Sequence, residues 1–329
     1  MDGRVNAGEE ATVHIGLVGL GRMGGSMRSR LRRAGIDVTG YDRDPEVSDV
    51  DSLVELVSAL PAPRVVWVMV PAGASTTATI TELAELLTAG DLVIDGGNTK
   101  FTDDAVHAAH LAERGIHFLD CGVSGGIWGQ QQGYGLMVGG DAALVERVLP
   151  VFDALRPEGP RDEGFVHAGG VGAGHYAKMV HNGIEYGLMQ AYAEGYDLLA
   201  AQEIVADVQG CFKAWSRGTV IRSWLLDLFV KALEADPELD GISGYVEDSG
   251  EGRWMVEEAV GNAVPMPVIS AALFARFASR QPDSAAMKAV AALRRQFGGH
   301  AVKVAEAAEV AEVAEVAAAG PSSGGGDTR

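Results

Sequence analysis

The sequence predicts an α/β N-terminal part built as a doubly wound parallel sheet, followed by an all-α C-terminal part. Three observations carry that expectation. Short β-rich runs alternate with helical stretches from Val13 to about Gly170, the order that winds helices around a parallel sheet. The first β-rich run leads into Gly19-Leu20-Gly21-Arg22-Met23-Gly24, directly ahead of a helical stretch. Strand signals then fade after the glycine cluster GGVGAG at 169–174, which marks the domain junction.

In chain order, residues 1–12 (MDGRVNAGEEAT) have acidic residues and no continuous apolar segment, so a flexible leader is expected rather than a signal peptide. VHIGLVG is the first strand, and the helix through RSRLRRAG should carry the basic run Arg28 to Arg33 on its exposed face. Further strands are read at VTGYD, RVVWVMV, LVIDGG and IHFLDCG. Apolar runs without alternation, such as VVWVMV, suit strands buried on both faces, with Trp67 and Cys121 as core residues. Residues 13–170 form the first domain in this reading. Residues 171–300 form an all-helical second domain, with helices through QAYAEGYDLLAAQ, RSWLLDLFVKAL and VISAALFARFAS. The segment 301–329 is a low-complexity tail whose glutamates at 306, 309, 312 and 315 walk around a helix, predicting a short frayed helix and then disorder.

Bulk chemistry excludes several functions. The chain has 329 residues, 47% of them apolar and 22% charged, the balance of a soluble globular protein. Its formal net charge of −19 argues against a nucleic-acid partner, since phosphate backbones are met by basic surfaces. No run approaches the roughly 20 apolar residues that a membrane span needs. Cys121 and Cys211 lie far apart, so neither a disulfide framework nor a zinc site is read from them, and a reducing cytoplasm fits. His14, His107, His110 and His117 show no metal-ligand spacing, and no metal is expected.

The glycine motif has a specific physical use in a Rossmann-type domain. Gly19 and Gly21 let the backbone turn and approach a pyrophosphate, Gly24 lets helix and strand pack, and the helix N-terminus stabilises the anion. The second strand ends at Asp42, where a carboxylate can accept hydrogen bonds from the adenosine ribose hydroxyls. Asp42 would repel a 2′-phosphate, which favours NAD. Arg43 beside it could pair with such a phosphate, so NADP stays open.

The stretch KMVHNGIEYG, 178–187, places a lysine, a histidine, an asparagine, a glutamate and a tyrosine in an apolar neighbourhood. On a helix, Lys178, His181, Asn182, Glu185 and Tyr186 fall at about 0°, −60°, 40°, −20° and 80°, one arc of about 140°. Met179, Val180, Gly183, Ile184, Gly187 and Leu188 occupy the other side, expected to pack into a core. Solvent faces are usually built from Glu, Lys, Gln and Arg; His, Asn and Tyr add specific hydrogen-bonding geometry. A binding face is the reading.

GHYAKMVHNGIEYGLMQAYAEG resembles the signature of the decarboxylating 6-phosphogluconate dehydrogenases, and the resemblance extends over nearly all of residues 13–300. GLVGLGRMG, WVMVPAG, DLVIDGGNT, DCGVSGG, EGRW and RRQFGGH support it. The compact length and Asp42 look like the shorter, NAD-preferring branch. The resemblance implies oxidative decarboxylation of 6-phosphogluconate to ribulose 5-phosphate and CO2, in the pentose phosphate pathway and gluconate utilisation. It implies Lys178 as the base that takes the proton from the third carbon's hydroxyl, and Glu185 as the acid that protonates the first carbon. Ser124, Gly125 and Gly126 would hold the substrate carboxylate and hydroxyls, Asn98 would sit between nicotinamide and sugar, and His181 and Asn182 would orient hydroxyls. Tyr186, Arg276, Arg294 and His300 would bind the phosphate. The last two come from a neighbouring subunit in the family, which implies a homodimer or homotetramer. Cofactor contacts are implied for Gly19, Leu20, Gly21, Arg22, Met23, Gly24, Asp42, Arg43, Val70, Pro71 and Asn98.

One departure stands out. The turn DSGEG has Ser249 and Glu251 where many longer relatives carry a lysine and a small polar residue that help bind phosphate, and Arg253 is the nearby cation that could compensate. Two alternatives are a non-decarboxylating β-hydroxyacid dehydrogenase, which Glu185, Tyr186 and the arginines argue against, and a non-catalytic NAD-binding sensor, which need not keep Lys178, Glu185 and Asn98.

Overall fold

The structure, a computed structural model, describes residues 13–298 and 301–303. The expected leader, His300 and the glutamate-rich tail lie outside the described residues. Seven strands form one sheet: β1 (His14–Val18), β2 (Asp37–Tyr41), β3 (Val65–Val68), β4 (Leu92–Asp95), β5 (His117–Ser124), β6 (Gly135–Gly140) and β7 (Phe165–Gly169). Their order is β2-β1-β3-β4-β5-β6-β7. The helices of the α/β part are α1 (Arg22–Arg33), α2 (Leu53–Ala59), α3 (Ala74–Leu86), α4 (Phe101–Ala112), α5 (Gly129–Gln132), α6 (Ala142–Arg147) and α7 (Leu149–Leu155). Then follow α8 (Ala173–Ala200), α9 (Val208–Trp215), α10 (Trp224–Ala235), α11 (Glu251–Gly261), α12 (Pro267–Ser279) and α13 (Ala285–Gly298), with no strand among the described residues from α8 on.

The five expected strands pair in parallel, and the helical second half forms as read. β6 and β7 are additions that the sequence reading missed. β6 runs antiparallel to β5, because the link through residues 125–134 is too short for the crossover of a dozen or more residues that a parallel return needs.

Alternation along the strands explains the apolar runs. Trp67, Ile94, Leu119 and Cys121 enter one core with Met27 and Leu31 of α1 and Phe152 of α7. Val66, Val68, Val93 and Phe118 enter a second core on the opposite face with Leu56, Ile80, Leu83 and Leu111 from α2, α3 and α4. A smaller core gathers Phe212, Leu226, Val230 and Leu233 from α9 and α10.

The basic run on α1 is not a plain solvent face. Arg28 and Arg32 both pair with Asp49, and half-buried Arg30 donates to the carbonyls of Ala154, Leu155 and Arg156 at 3.0, 3.1 and 2.7 Å. Those carbonyls end α7 and have no partner within that helix, so Arg30 satisfies them.

Among the described residues the chain forms two compact units, one within Met1–Ser243 and Glu247–Ala275 and one within Gly244–Val246 and Arg276–Arg329. The first holds the sheet, α8 and α11. In the second, Ser279 accepts from the Val246 amide at 3.0 Å.

Candidate active site

Strand order reverses between β1 and β3, and ligands of open α/β sheets bind in the crevice beyond the strand ends at such a point. A cavity of about 850 Å³ opens there, lined by Gly19, Gly21, Arg22, Met23, Gly24, Asp42, Arg43, Val70, Pro71 and Asn98 among others. Each glycine of the motif has its own reason. Gly19 has φ +92°, and a Cβ on it would stand 2.5 Å from the Met69 carbonyl oxygen. A Cβ on Gly24 would run into the Gly19 carbonyl, whereas Gly21 has open space around it. The turn and the helix packing therefore need the first and third glycines, and the second leaves room for a ligand. The residues fit a dinucleotide.

Asp42 accepts from the Leu20 amide at 2.6 Å and the Asp44 amide at 3.0 Å. Burial works against its charge, but the amides of Asp44, Leu20 and Arg43 and the Arg43 guanidinium outweigh it and hold the carboxyl below its ordinary range. Leu20 is set apart from this lining: its side chain is 4% exposed and belongs to the core, and its amide is the donor to Asp42. The sequence reading missed Ser75, Thr79 and Glu82 of α3, which also line this cavity and carry no motif.

A second cavity of about 880 Å³ is lined by Ser124, Gly125, Gly126, Lys178, His181, Asn182 and Glu185, with Met23 and Val123 common to both cavities. Its remaining walls include Trp128, Trp224, Leu225 and Leu228. The two-sided picture of α8 needs correction. Val180, Ile184 and Leu188, expected in the core, line this cavity. Gly174, His175, Lys178, Met179, Gly183, Tyr186 and Gly187 are the buried set, because α8 is covered on several sides. Gly183 lies against Met255 of α11, where a Cβ would run into the Met255 sulfur, and Gly187 faces Val268 and Ile269 of α12, where a Cβ would make ordinary contact.

The start of α8 is fixed by β5. Asp120 accepts from the Gly172 amide at 2.7 Å and the His175 amide at 2.9 Å, a carboxylate at a helix N-terminus where the dipole favours it. His175 Nδ1 lies 2.9 Å from both oxygens of Asp104 on α4. Burial opposes a charged ring, but the hydrogen bond and charge of Asp104, with Asp95 and Asp120 behind it, push the His175 pKa up to about 9. Asp95, Asp104 and His107, and Asp104, Asp120 and His175, are two buried groups whose ligand-type atoms lie within 4.8 Å. His107, expected at the surface or satisfied, is buried with Nδ1 unpartnered. Each carboxylate oxygen of Asp95, Asp104 and Asp120 already accepts a protein hydrogen bond.

Lys178 sits one turn beyond His175, with its Cβ against Gly122 of β5. Its Nζ donates to Asn182 Oδ1 at 2.5 Å and lies 3.8 Å from Glu251 Oε1. Burial draws this ammonium below the ordinary lysine range, while Glu251 and Glu185 pull the other way. Asn98 Nδ2 and Ser249 Oγ donate to Glu251 Oε2 at 3.0 and 3.1 Å, and Asn182 Nδ2 donates to the same oxygen. His181 Nε2 lies 3.3 Å from Ser124 Oγ.

Tyr186 is 5% exposed and turned to α11, its hydroxyl accepting from the Ser249 amide at 3.1 Å. Arg253 donates two hydrogen bonds to Asp248. Arg276 and Arg294 belong to the second unit, half-buried and exposed respectively.

The family model for the NAD binding domain of 6-phosphogluconate dehydrogenase matches residues 14–157, and that for the C-terminal domain of the same enzyme matches 174–319. The chain belongs to the 6-phosphogluconate dehydrogenase family. Within that family, the NAD(+)-dependent decarboxylating enzyme of Haloferax volcanii is 40% identical over 300 residues, covering 88% of this chain and 98% of its own. The protein YqeC of Bacillus subtilis is 39% identical, covering 88% of this chain and 99% of its own. Among solved structures, 6-phosphogluconate dehydrogenase of Plasmodium falciparum superposes with a TM-score of 0.74 at 25% identity, over 91% of this chain and 68% of that one.

Proposed function

We propose that this chain catalyses the oxidative decarboxylation of 6-phosphogluconate to ribulose 5-phosphate and CO2 with reduction of NAD(P). The observation that carries this reading is the meeting of two cavities at Met23 and Val123, one built on the glycine motif and the other containing Lys178 and Glu185. A bound nicotinamide would accept a hydride from the third carbon of the sugar acid. Lys178, neutral at that moment, takes the proton of the hydroxyl on that carbon; its burial favours the neutral form. Breaking the bond between first and second carbons releases CO2 and leaves an enolate, whose oxygen the protonated Lys178 supports. Glu185 then delivers a proton to the second carbon of the enolate, which becomes the first carbon of ribulose 5-phosphate. Ser124, Gly125 and Gly126 bind the carboxylate end, and His181 and Asn182 orient the hydroxyls.

The ionised carboxylate of Asp42 favours NAD over NADP, since it would repel a 2′-phosphate. Phosphate recognition in this reading falls to Tyr186, Arg276, Arg294 and His300, with the last two acting across a homodimer or homotetramer. Support comes from α13, which leaves Met287, Val290 and Leu293 exposed at 62%, 47% and 63%. They recur at helical spacing beside Arg294, a stripe suited to packing against another copy. This reading takes residues 13–170 as a nucleotide domain and 171–300 as a helical one, and places the protein in the cytoplasm.

The test is a steady-state assay with 6-phosphogluconate, comparing NAD with NADP and trapping the gas. One CO2 per NADH is expected, with gluconate far poorer. NADH without CO2 would favour the plain β-hydroxyacid dehydrogenase reading.

A further inference from the structure

Glu251 lies in the DSGEG turn, and the structure gives it a place that its sequence position did not reveal. It is the first residue of α11 and 3% exposed. A buried carboxylate survives only where donors replace water. Here Oε2 accepts from Asn98, Asn182 and Ser249, and Oε1 faces the Lys178 ammonium at 3.8 Å. Asn98 lines the nucleotide cavity and Asn182 the second cavity. One carboxylate therefore joins the two.

An ionised carboxylate can only accept, so it determines which end of each carboxamide turns toward it. The Asn182 amino group must face Glu251, which turns Asn182 Oδ1 to Lys178 Nζ at 2.5 Å and to His181 Nδ1 at 3.0 Å. We propose that Glu251 is a positioning residue of the reaction centre, fixing the carboxamides of Asn98 and Asn182 and, directly and through Asn182, holding Lys178 in place as its counter-ion. The inference rests on the reading of Lys178 as the base.

The surroundings of Lys178 make the charge effect separable. Two carboxylates act on it, Glu251 from α11 and Glu185 from its own helix. His181 is engaged with Asn182 and Ser124. β5 presents Gly122 to the lysine, and its Asp120 is turned to the amides of Gly172 and His175. The α10 residues on the cavity wall, Trp224, Leu225 and Leu228, carry no charge. Arg253 on α11 is engaged with Asp248.

Glu251→Gln in the full chain tests the proposal, reading kcat/KM for 6-phosphogluconate against pH, NAD affinity and the circular dichroism melt. Losing the anion makes neutral Lys178 easier to reach. The acid limb should therefore move to lower pH by about one unit or more, with kcat down about tenfold because Lys178 loses its counter-ion and meets an amide nitrogen in place of Oε1. Glu251→Asp keeps the charge and should return the limb toward its original position. A folded glutamine variant with unchanged limb and kcat would overturn the proposal. Should the glutamine variant not fold, the aspartate variant carries the test: withdrawing the carboxylate by one methylene should lower kcat, and wild-type kcat would overturn it. Lys178→Met separates the two layers. Turnover in that variant sinks the base assignment itself, whereas an inert variant beside an unmoved Glu251→Gln limb sinks only the role of Glu251.

Discussion

Gly122→Ala perturbs the seating of Lys178 without touching its chemistry. The Gly122 backbone accepts an alanine, because its φ is not positive, but a Cβ there would overlap Lys178 Cβ and stand 2.9 Å from the Gly174 carbonyl oxygen. Ordinary contact begins at 3.4 Å, so α8 must withdraw from β5 by roughly 0.5 Å or more in a close-packed interior. Overpacking of this kind costs about 1–3 kcal/mol of stability. Displacing a catalytic group by about 1 Å costs up to ~100-fold in rate. The expected variant melts a few degrees lower, binds NAD within about twofold of the parent, and loses roughly 10- to 100-fold in kcat, followed by NADH absorbance. An unchanged kcat in a folded variant would refute the claim that β5 sets the position of Lys178.

Three further outcomes are expected. Gly21→Ala should leave the melting temperature unchanged, since its Cβ meets nothing within 4 Å, yet weaken NAD binding by about tenfold or more in titration calorimetry, because a pyrophosphate needs that space. Asp42→Ser should shift the ratio of kcat/KM for NAD and NADP toward NADP by about tenfold, by removing the like charge; an unmoved ratio would place the preference elsewhere. Asp104→Asn should flatten the alkaline loss of stability. His175 is raised from 6.5 to about 9, so its contribution is full below pH 6.5 and lost as pH rises through 9. Burial also pushes the Asp104 carboxyl up to about 7, the His175 hydrogen bond and charge opposing it, which adds loss in the same direction as pH rises. Melting curves across that range, parent against variant, check it.

What could be read from the chain was whatever repeats locally. The glycine motif, Asp42 and the arc of Lys178, His181, Asn182 and Glu185 all follow from spacing along one strand or helix, and they line the two cavities. What could not be read depends on contacts distant in sequence. β6 is interrupted by glycines and β7 is largely exposed, so neither shows the apolar run of a central strand. Val180, Ile184 and Leu188 read as core because apolar side chains lining a cavity and those in a core look alike in a sequence. Arg30 reads as surface because its partners, the carbonyls ending α7, are more than a hundred residues away. Glu251 meets Asn182 across 69 residues, and the signal pointing to it was the departure in the DSGEG turn.

Lys178 is, in the proposed reaction, the group that takes the proton as hydride leaves the substrate. The direct measurement is single-turnover NADH formation by Lys178→Met with 6-phosphogluconate, alongside NAD titration. NADH formation should be abolished while NAD affinity stays nearly intact. NADH formation at a substantial fraction of the parent rate would contradict it.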